Sequence, residues 1–224
     1  MKLLYPFAKR YIAGDDLRSA QIVANVLSDN GFEISFNYVG EYSKTLDEAA
    51  LVKNQYFEII NCYQNNQIDL SIKPSQFGLL ISREHCEGLL QQVAEKAHNY
   101  GHTIRFDMEH STITDRTLDL CLKLNQKYPK TIGVALQAKL FRTQDDMIEL
   151  IDNNISVRLV KGAYIEKKSI ALNRYKDILD NYLKLAELLR NKTNRRCAVA
   201  THDEIILNQI LSKPDADRFD YELI

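Results

Sequence analysis

Val157-Arg158-Leu159-Val160-Lys161-Gly162-Ala163-Tyr164 reads as a short buried strand that ends in a cation, a glycine and an aromatic. Val157, Leu159 and Val160 are apolar and favour the extended chain. Arg158 stands among them, where a charge is costly without a partner. Lys161 closes the run, and Gly162 follows where a backbone can approach a ligand closely. A strand that carries charge inward and stops at Lys-Gly suits something anionic or electron-rich. The same residues also fit an arginine in a buried ion pair followed by a solvated loop, because structural ion pairs perturb charges too.

Outward from this strand, the chain alternates. Extended patterns are predicted over 33–38, 68–73, 103–108, 131–138, 155–161, 197–201 and 219–223. Helices are predicted over 17–30, 45–63, 82–100, 114–128, 144–153, 170–191 and 204–211. Asp15 and Asp16 offer a cap to the first helix, Thr45 to Glu48 a capping box, and Ser82 and Thr114 two further caps. Residues 1–14 are a lead-in. Alternation of this kind implies parallel strands joined by right-handed crossovers. A doubly wound open sheet and a (β/α)8 barrel both satisfy it. The open sheet predicts a glycine-rich turn after the first strand, and Tyr38-Val39-Gly40-Glu41 has no GxGxxG.

The barrel instead predicts polar groups at the C-terminal end of strand after strand. The chain supplies Tyr38 and Glu41, Lys73, Asp107 and Glu109, Gln137, Arg158 and Lys161, Thr201 with His202 and Asp203, and then Glu222. Each has a plainer reading: Lys73 as a solvated strand end, Asp107 and Glu109 as a cap and a surface charge, Gln137 as a structural amide, His202 as the partner of a carbonyl. Their regular recurrence at strand ends favours a TIM-type barrel of about seven strands.

Composition narrows the function. The 224 residues carry a net charge of −1 and are 45% hydrophobic, enough for one globular domain with a substantial core. Balanced charge gives no nucleic-acid footprint. No apolar run reaches the ~20 residues of a membrane span, and residues 1–10 lack the apolar core of a secretory signal. Cys62, Cys86, Cys121 and Cys197 are widely spaced and form no CxxC. They read as reduced thiols of a cytoplasmic protein, not as a metal site or a disulfide framework.

Several of these stretches together resemble the proline dehydrogenase family, flavin-dependent (β/α)8 barrels. They are Ala8 to Gly14, Tyr38 to Glu41, Leu70-Ser71-Ile72-Lys73-Pro74, Ile104 to Glu109, Leu136-Gln137-Ala138, Arg158 to Tyr164, and Ala200 to Asp203. The Arg-Leu-Val-Lys-Gly-Ala-Tyr string is the most specific. The resemblance implies FAD as cofactor and L-proline as substrate. It implies loss of a hydride from C5 to give 1-pyrroline-5-carboxylate, with the electrons passed to a quinone and the protein peripheral to the membrane. It further implies Arg158 near the flavin N5 edge, and Lys161, Gly162 and Ala163 along the phosphate and ribityl portion. Met108, Gln137, Thr201 and His202 would also contact the flavin. Lys73 would pair with the proline carboxylate, Asp107 would complete the substrate site, and Tyr164 would pack beside flavin and substrate. A fixed guanidinium suits the charge a reduced ring acquires. An amide can both donate to and accept from the pyrimidine edge, and Lys is a point cation for carboxylate or phosphate.

The chain departs from the family pattern in two ways. Lys139 follows Gln137-Ala138, where the family usually has Tyr. The family also continues past a strand like 219–223 with a Leu-Tyr-Gly turn, an eighth strand and a helix carrying an Arg pair. The expectation is therefore a single domain over 1–224, truncated at its C-terminus, with open sheet edges and weak or no activity. Two other functions stay open. One is a non-catalytic remnant that binds a partner or self-associates. The other is a flavin-free lyase using Lys73 or Lys161 as a Schiff-base amine.

Overall fold

The computed structural model describes residues 12–223. Seven strands lie in one parallel sheet in sequence order: β1 (Ser35–Asn37), β2 (Asp69–Ile72), β3 (Thr103–Phe106), β4 (Ile132–Gln137), β5 (Ser156–Val160), β6 (Cys197–Ala200) and β7 (Phe219–Glu222). The register advances in step, for example Leu70 against Ile104 and Ala135 against Arg158. Between and before them run α1 (Leu17–Asp29), α2 (Leu46–Cys62), α3 (Arg83–Asn99), α4 (Thr114–Lys127), α5 (Thr143–Asp152), α6 (Tyr175–Lys192) and α7 (Glu204–Leu211). The predicted alternation and its parallel sense are borne out.

The helices start where short polar side chains can accept the first free N–H groups. Asp16 accepts from Ser19 N at 2.7 Å, Thr45 from Glu48 N at 3.1 Å, and Ser82 from His85 N at 3.3 Å. Asp203 accepts from Ile205 N and Ile206 N. Thr114 does not cap. It is the first residue of α4, which a 3-10 turn at Ser111–Ile113 leads into. The sixth helix also begins later than its apolar pattern predicts, at Tyr175 and not near Ile170. Backbone bonds from Phe141 N to Ile170 O and from Leu172 N to Lys139 O tie residues 170–172 to the end of the fourth strand, which takes them out of the helix. The Ala8 to Tyr11 part of the first family-like stretch, and most of the lead-in, lie outside the described residues.

Side chains alternate across the strands, and the two faces differ sharply. One face carries Leu70, Ile72, Ile104, Phe106, Val134, Leu136, Val157, Leu159 and Val199, all buried in the core beneath the helices. Two helix tyrosines reach from that core into the strands. Tyr56 of α2 donates to Ser71 O and Tyr182 of α6 donates to Leu159 O, each at 2.7 Å. They anchor β2 and β5 next to the polar ends of those strands. The other face carries Asp69, Ser71, Arg105 and Arg158. It is concave: Arg158 of β5 reaches Asp69 of β2, Asp107 after β3 and Glu222 of β7. Only a curled sheet brings those strands within one side chain's length, as in a (β/α) barrel.

Candidate active site

The inner face is built by period-two spacing. Asp69, Ser71 and Lys73 alternate along β2 and its end, Arg105 and Asp107 along β3 and its end, Ser156 and Arg158 along β5, so each set points to the same side. Arg158 is 3% exposed. Its Nη1 donates to Ser71 Oγ at 2.7 Å and lies 3.1 Å from Asp107 Oδ1. Its Nη2 lies 3.3 Å from Asp69 Oδ2, and its Nε faces Glu222. Asp107 is shared: Lys73 Nζ stands 3.1 Å from Oδ2, Asn37 Nδ2 donates to the same oxygen at 3.0 Å, and Ser71 Oγ donates to Oδ1. Arg105 adds longer pairs to Asp69 and Glu222, both at 3.9 Å. Three cations thus face three carboxylates, which is how charge can be held at such burial. Burial lifts the Glu222 carboxyl above the usual glutamate range; Arg158 and Arg105 oppose that lift without cancelling it.

Above this layer sit the strand ends. Asp107 and Glu109, both read as polar groups of the third strand's end, lie past the end of β3 at Phe106 and part company. Glu109 is fully buried, and its carboxylate accepts from Ser75 N at 3.1 Å and from Ser75 Oγ. Burial pushes its carboxyl up, against the pull of those two hydrogen bonds. Gln137 donates from Nε2 to Glu109 O at 2.8 Å, while its buried Oε1 finds no hydrogen-bond partner among the described residues. That oxygen faces Gly162, where an added Cβ would lie 2.8 Å away. Gly162 has φ +105°, a conformation side chains resist. An unpartnered amide oxygen beside a side-chain-free backbone is a donor-seeking cradle for a polar ring edge.

Lys161 is not free. Its Nζ stands 3.1 Å from Asp203 Oδ2, which also accepts from Tyr175 Oη at 2.8 Å. Burial would raise the Asp203 carboxyl, but the hydrogen bonds from Tyr175 and Lys161 win and hold it low. Tyr164 crosses the mouth: its hydroxyl donates to Glu41 Oε1 at 2.7 Å and its ring lies 4.4 Å from the His110 ring. Burial and the Glu41 carboxylate push that phenol well above its ordinary value. Thr201 is buried at the end of β6, His202 and Ala163 are exposed, and Met108 packs into the hydrophobic core. A cavity of about 140 Å³ lies elsewhere, between α6 and α7 against Phe219.

Lys73, Asp107 and Arg158 therefore meet in one network, with Gln137 and Gly162 meeting at the strand ends beyond it. Asp69, Ser71 and Asn37 belong to the network and went unread. The alternation of Asp69, Ser71 and Lys73 could have found the first two; Asn37, at the end of β1, carries no such signal.

A family model described as proline dehydrogenase matches residues 20–222. The chain belongs to the proline dehydrogenase family. Proline dehydrogenase 1 of Bacillus subtilis, in strain 168 and in subspecies natto, is 30% identical over 97% of the chain and 74% of its own length. The Deinococcus radiodurans proline dehydrogenase is 28% identical over 92% of the chain and 68% of its own length. Among solved structures, proline utilization A from Bdellovibrio bacteriovorus, inactivated by N-propargylglycine, superposes on the whole chain with a TM-score of 0.83. At 19% identity that likeness speaks for the barrel fold alone, and the chain spans 29% of that protein. Membership makes the chain an oxidoreductase by descent. Proline dehydrogenases are generally FAD-dependent, and the Gln137–Gly162 cradle fits such a group.

Proposed function

We propose that this barrel oxidises L-proline to 1-pyrroline-5-carboxylate at the mouth defined by Lys73, Asp107 and Arg158. The observation that carries this reading is the sharing of one carboxylate, Asp107, by Lys73 and Arg158 at the strand ends of a proline dehydrogenase-family chain. FAD, when bound, supplies the acceptor for the hydride lost from C5 of proline. Gln137, Lys161, Gly162, Ala163, Thr201, His202 and Met108 are the residues we assign to holding it.

The chain's own groups bind and orient the substrate. Proline is a zwitterion at neutral pH. Lys73 offers a cation to its carboxylate. Asp107 fixes Lys73 in place and offers negative charge to the ring nitrogen. Arg158 orients Asp107 through its Nη1 contact, and presents a fixed positive charge where a neighbouring ring gains electrons. Tyr164 excludes water from above. Electrons leave to a quinone, with the protein peripheral to a membrane on the cytoplasmic side. No helix among the described residues is long and apolar enough to cross a membrane. We assign the whole chain to one barrel-type domain.

The test is direct. The purified chain should carry yellow flavin, or take it up from added FAD, and reduce a dye only when proline is present. Flavin uptake without proline-dependent dye reduction would refute the substrate assignment. A colourless chain that ignores FAD would refute the cofactor.

One observation favours a second reading, a binding or self-associating module. Among the described residues, β1 and β7 each pair on one side only, and unpaired edges invite strands from other chains. A colourless oligomer in size-exclusion light scattering would support it. The Schiff-base lyase has less to stand on. Both Lys73 and Lys161 are ion-paired with carboxylates, an arrangement that suits a cation more than a nucleophilic amine.

A further inference from the structure

We propose that Lys139 is a positioning residue that holds Tyr164 across the mouth of the barrel, and that it thereby sets the affinity for the small amino-acid substrate. The second half rests on the proline reading above.

Lys139 is itself held firmly. Its N–H donates to Lys161 O at 3.1 Å and its carbonyl accepts from Leu172 N at 2.7 Å. Its Cα is therefore pinned between the end of β5 and the segment before α6. Its side chain runs over Gly162: a Cβ built there would lie 2.5 Å from Lys139 Cδ and 2.8 Å from Cγ. Only a glycine leaves that passage open. At the far end Nζ donates to the carbonyl of Tyr164 at 2.6 Å.

The segment that receives this bond has little else to hold its backbone. Ala163 is exposed and Ile165 is 93% exposed, so neither side chain anchors the turn by burial. Tyr164 is secured at its hydroxyl by Glu41 and at its ring by His110. Those contacts fix the tip of the side chain, and Lys139 fixes its root. Two residues on, Glu166 accepts from Ser111 N at 2.8 Å and from Ser111 Oγ at 2.6 Å. The turn is thus held from one side by Lys139 and from the other by Glu166. A charge-assisted hydrogen bond is among the stronger single contacts a loop can have. Loss of the ammonium should let the turn lift and carry the phenol ring away from the mouth.

The chain has no tryptophan, which makes the idea measurable without turnover. Tyr164→Trp installs a single fluorescent reporter on the turn. In that background, Lys139→Met should raise acrylamide quenching about two-fold and shift emission to the red, as expected for a loosened loop. Lys139→Arg, which keeps a cationic donor, should behave like the parent. All are compared at equal flavin content. With Tyr164 restored, Lys139→Met should raise KM for proline about ten-fold with kcat within about two-fold, and Lys139→Arg should rescue it. Equal quenching in the parent and Lys139→Met would overturn the proposal. So would Lys139→Arg as exposed as Lys139→Met, or an equal fall in kcat with KM unchanged. A native chain with no proline turnover would count against the proposed function, while the fluorescence comparison would still decide the role of Lys139.

Discussion

Arg158 and Asp69 meet at 3.3 Å inside the barrel although 89 residues separate them. Arg158 lies on the fifth strand and Asp69 on the second. Between them stand Ser71 and Asp107, each bonded to the same guanidinium. The inner layer that bulky branched apolar residues usually fill in such barrels is here a charged lattice with Arg158 at its centre.

Removing that centre should be costly. Arg158→Met leaves Asp69, Asp107 and Glu222 facing one another without their main cation. The expected loss is roughly 3–5 kcal/mol, typical of breaking a buried ion pair from one side. Urea denaturation measures it. Adding Glu222→Gln should restore part of the loss, because one of the stranded carboxylates is then neutral. Two variants equally unstable would show that the charges are not coupled.

Lys73 is the partly exposed cation of the network and the group assigned to the substrate carboxylate. Lys73→Met should lower kcat/KM for proline by roughly 10- to 100-fold, the scale of one lost charged hydrogen bond. The effect should fall mainly on KM. Steady-state dye reduction against proline concentration checks this, and an unchanged KM would remove Lys73 from the substrate site.

Gly162→Ala combines two penalties. The residue would sit at φ +105°, and its new methyl would press on Lys139 Cδ and Gln137 Oε1. A strained backbone of this kind costs on the order of 1–3 kcal/mol. The variant should melt earlier and retain less flavin, seen as a lower visible absorbance per chain. Full retention at native stability would mean that the cradle tolerates a side chain and is not a ligand surface.

Glu109 makes a pH prediction. Burial holds its folded carboxyl above the ordinary glutamate value, net of the two Ser75 hydrogen bonds. The folded chain therefore binds this proton more tightly than the unfolded chain does. Stability from this group is present below the ordinary glutamate range and is lost as pH rises through the raised value. Glu109→Gln is neutral throughout, so it should gain stability relative to the native chain as pH rises from about 4 to about 8. Glu222 carries a shift of the same sign in both proteins and cancels in the comparison. Urea midpoints across that range test it. A difference independent of pH would show that burial does not raise the Glu109 carboxyl.

Local rules carried much of the reading. Period-two runs, cap residues and Gly or Pro stops located seven strands and seven helices, several to within a residue or two, because those signals act over a few neighbours along the chain. The same rules explain why Lys73, Asp107, Gln137 and Arg158 could be recognised as strand-end polar groups, and why the Arg-Leu-Val-Lys-Gly-Ala-Tyr string pointed to a family. What linear order could not disclose was partnership. That Asp107 is shared by Lys73, Asn37, Ser71 and Arg158, that Glu109 turns away to Ser75, and that Lys161 is taken by Asp203 are consequences of which strands pair and of how the sheet curls. So is the bond from Lys139 to Tyr164, across a glycine that leaves it room. Charge pairing depends on distance through space, and only the pairing and curling of the strands set those distances.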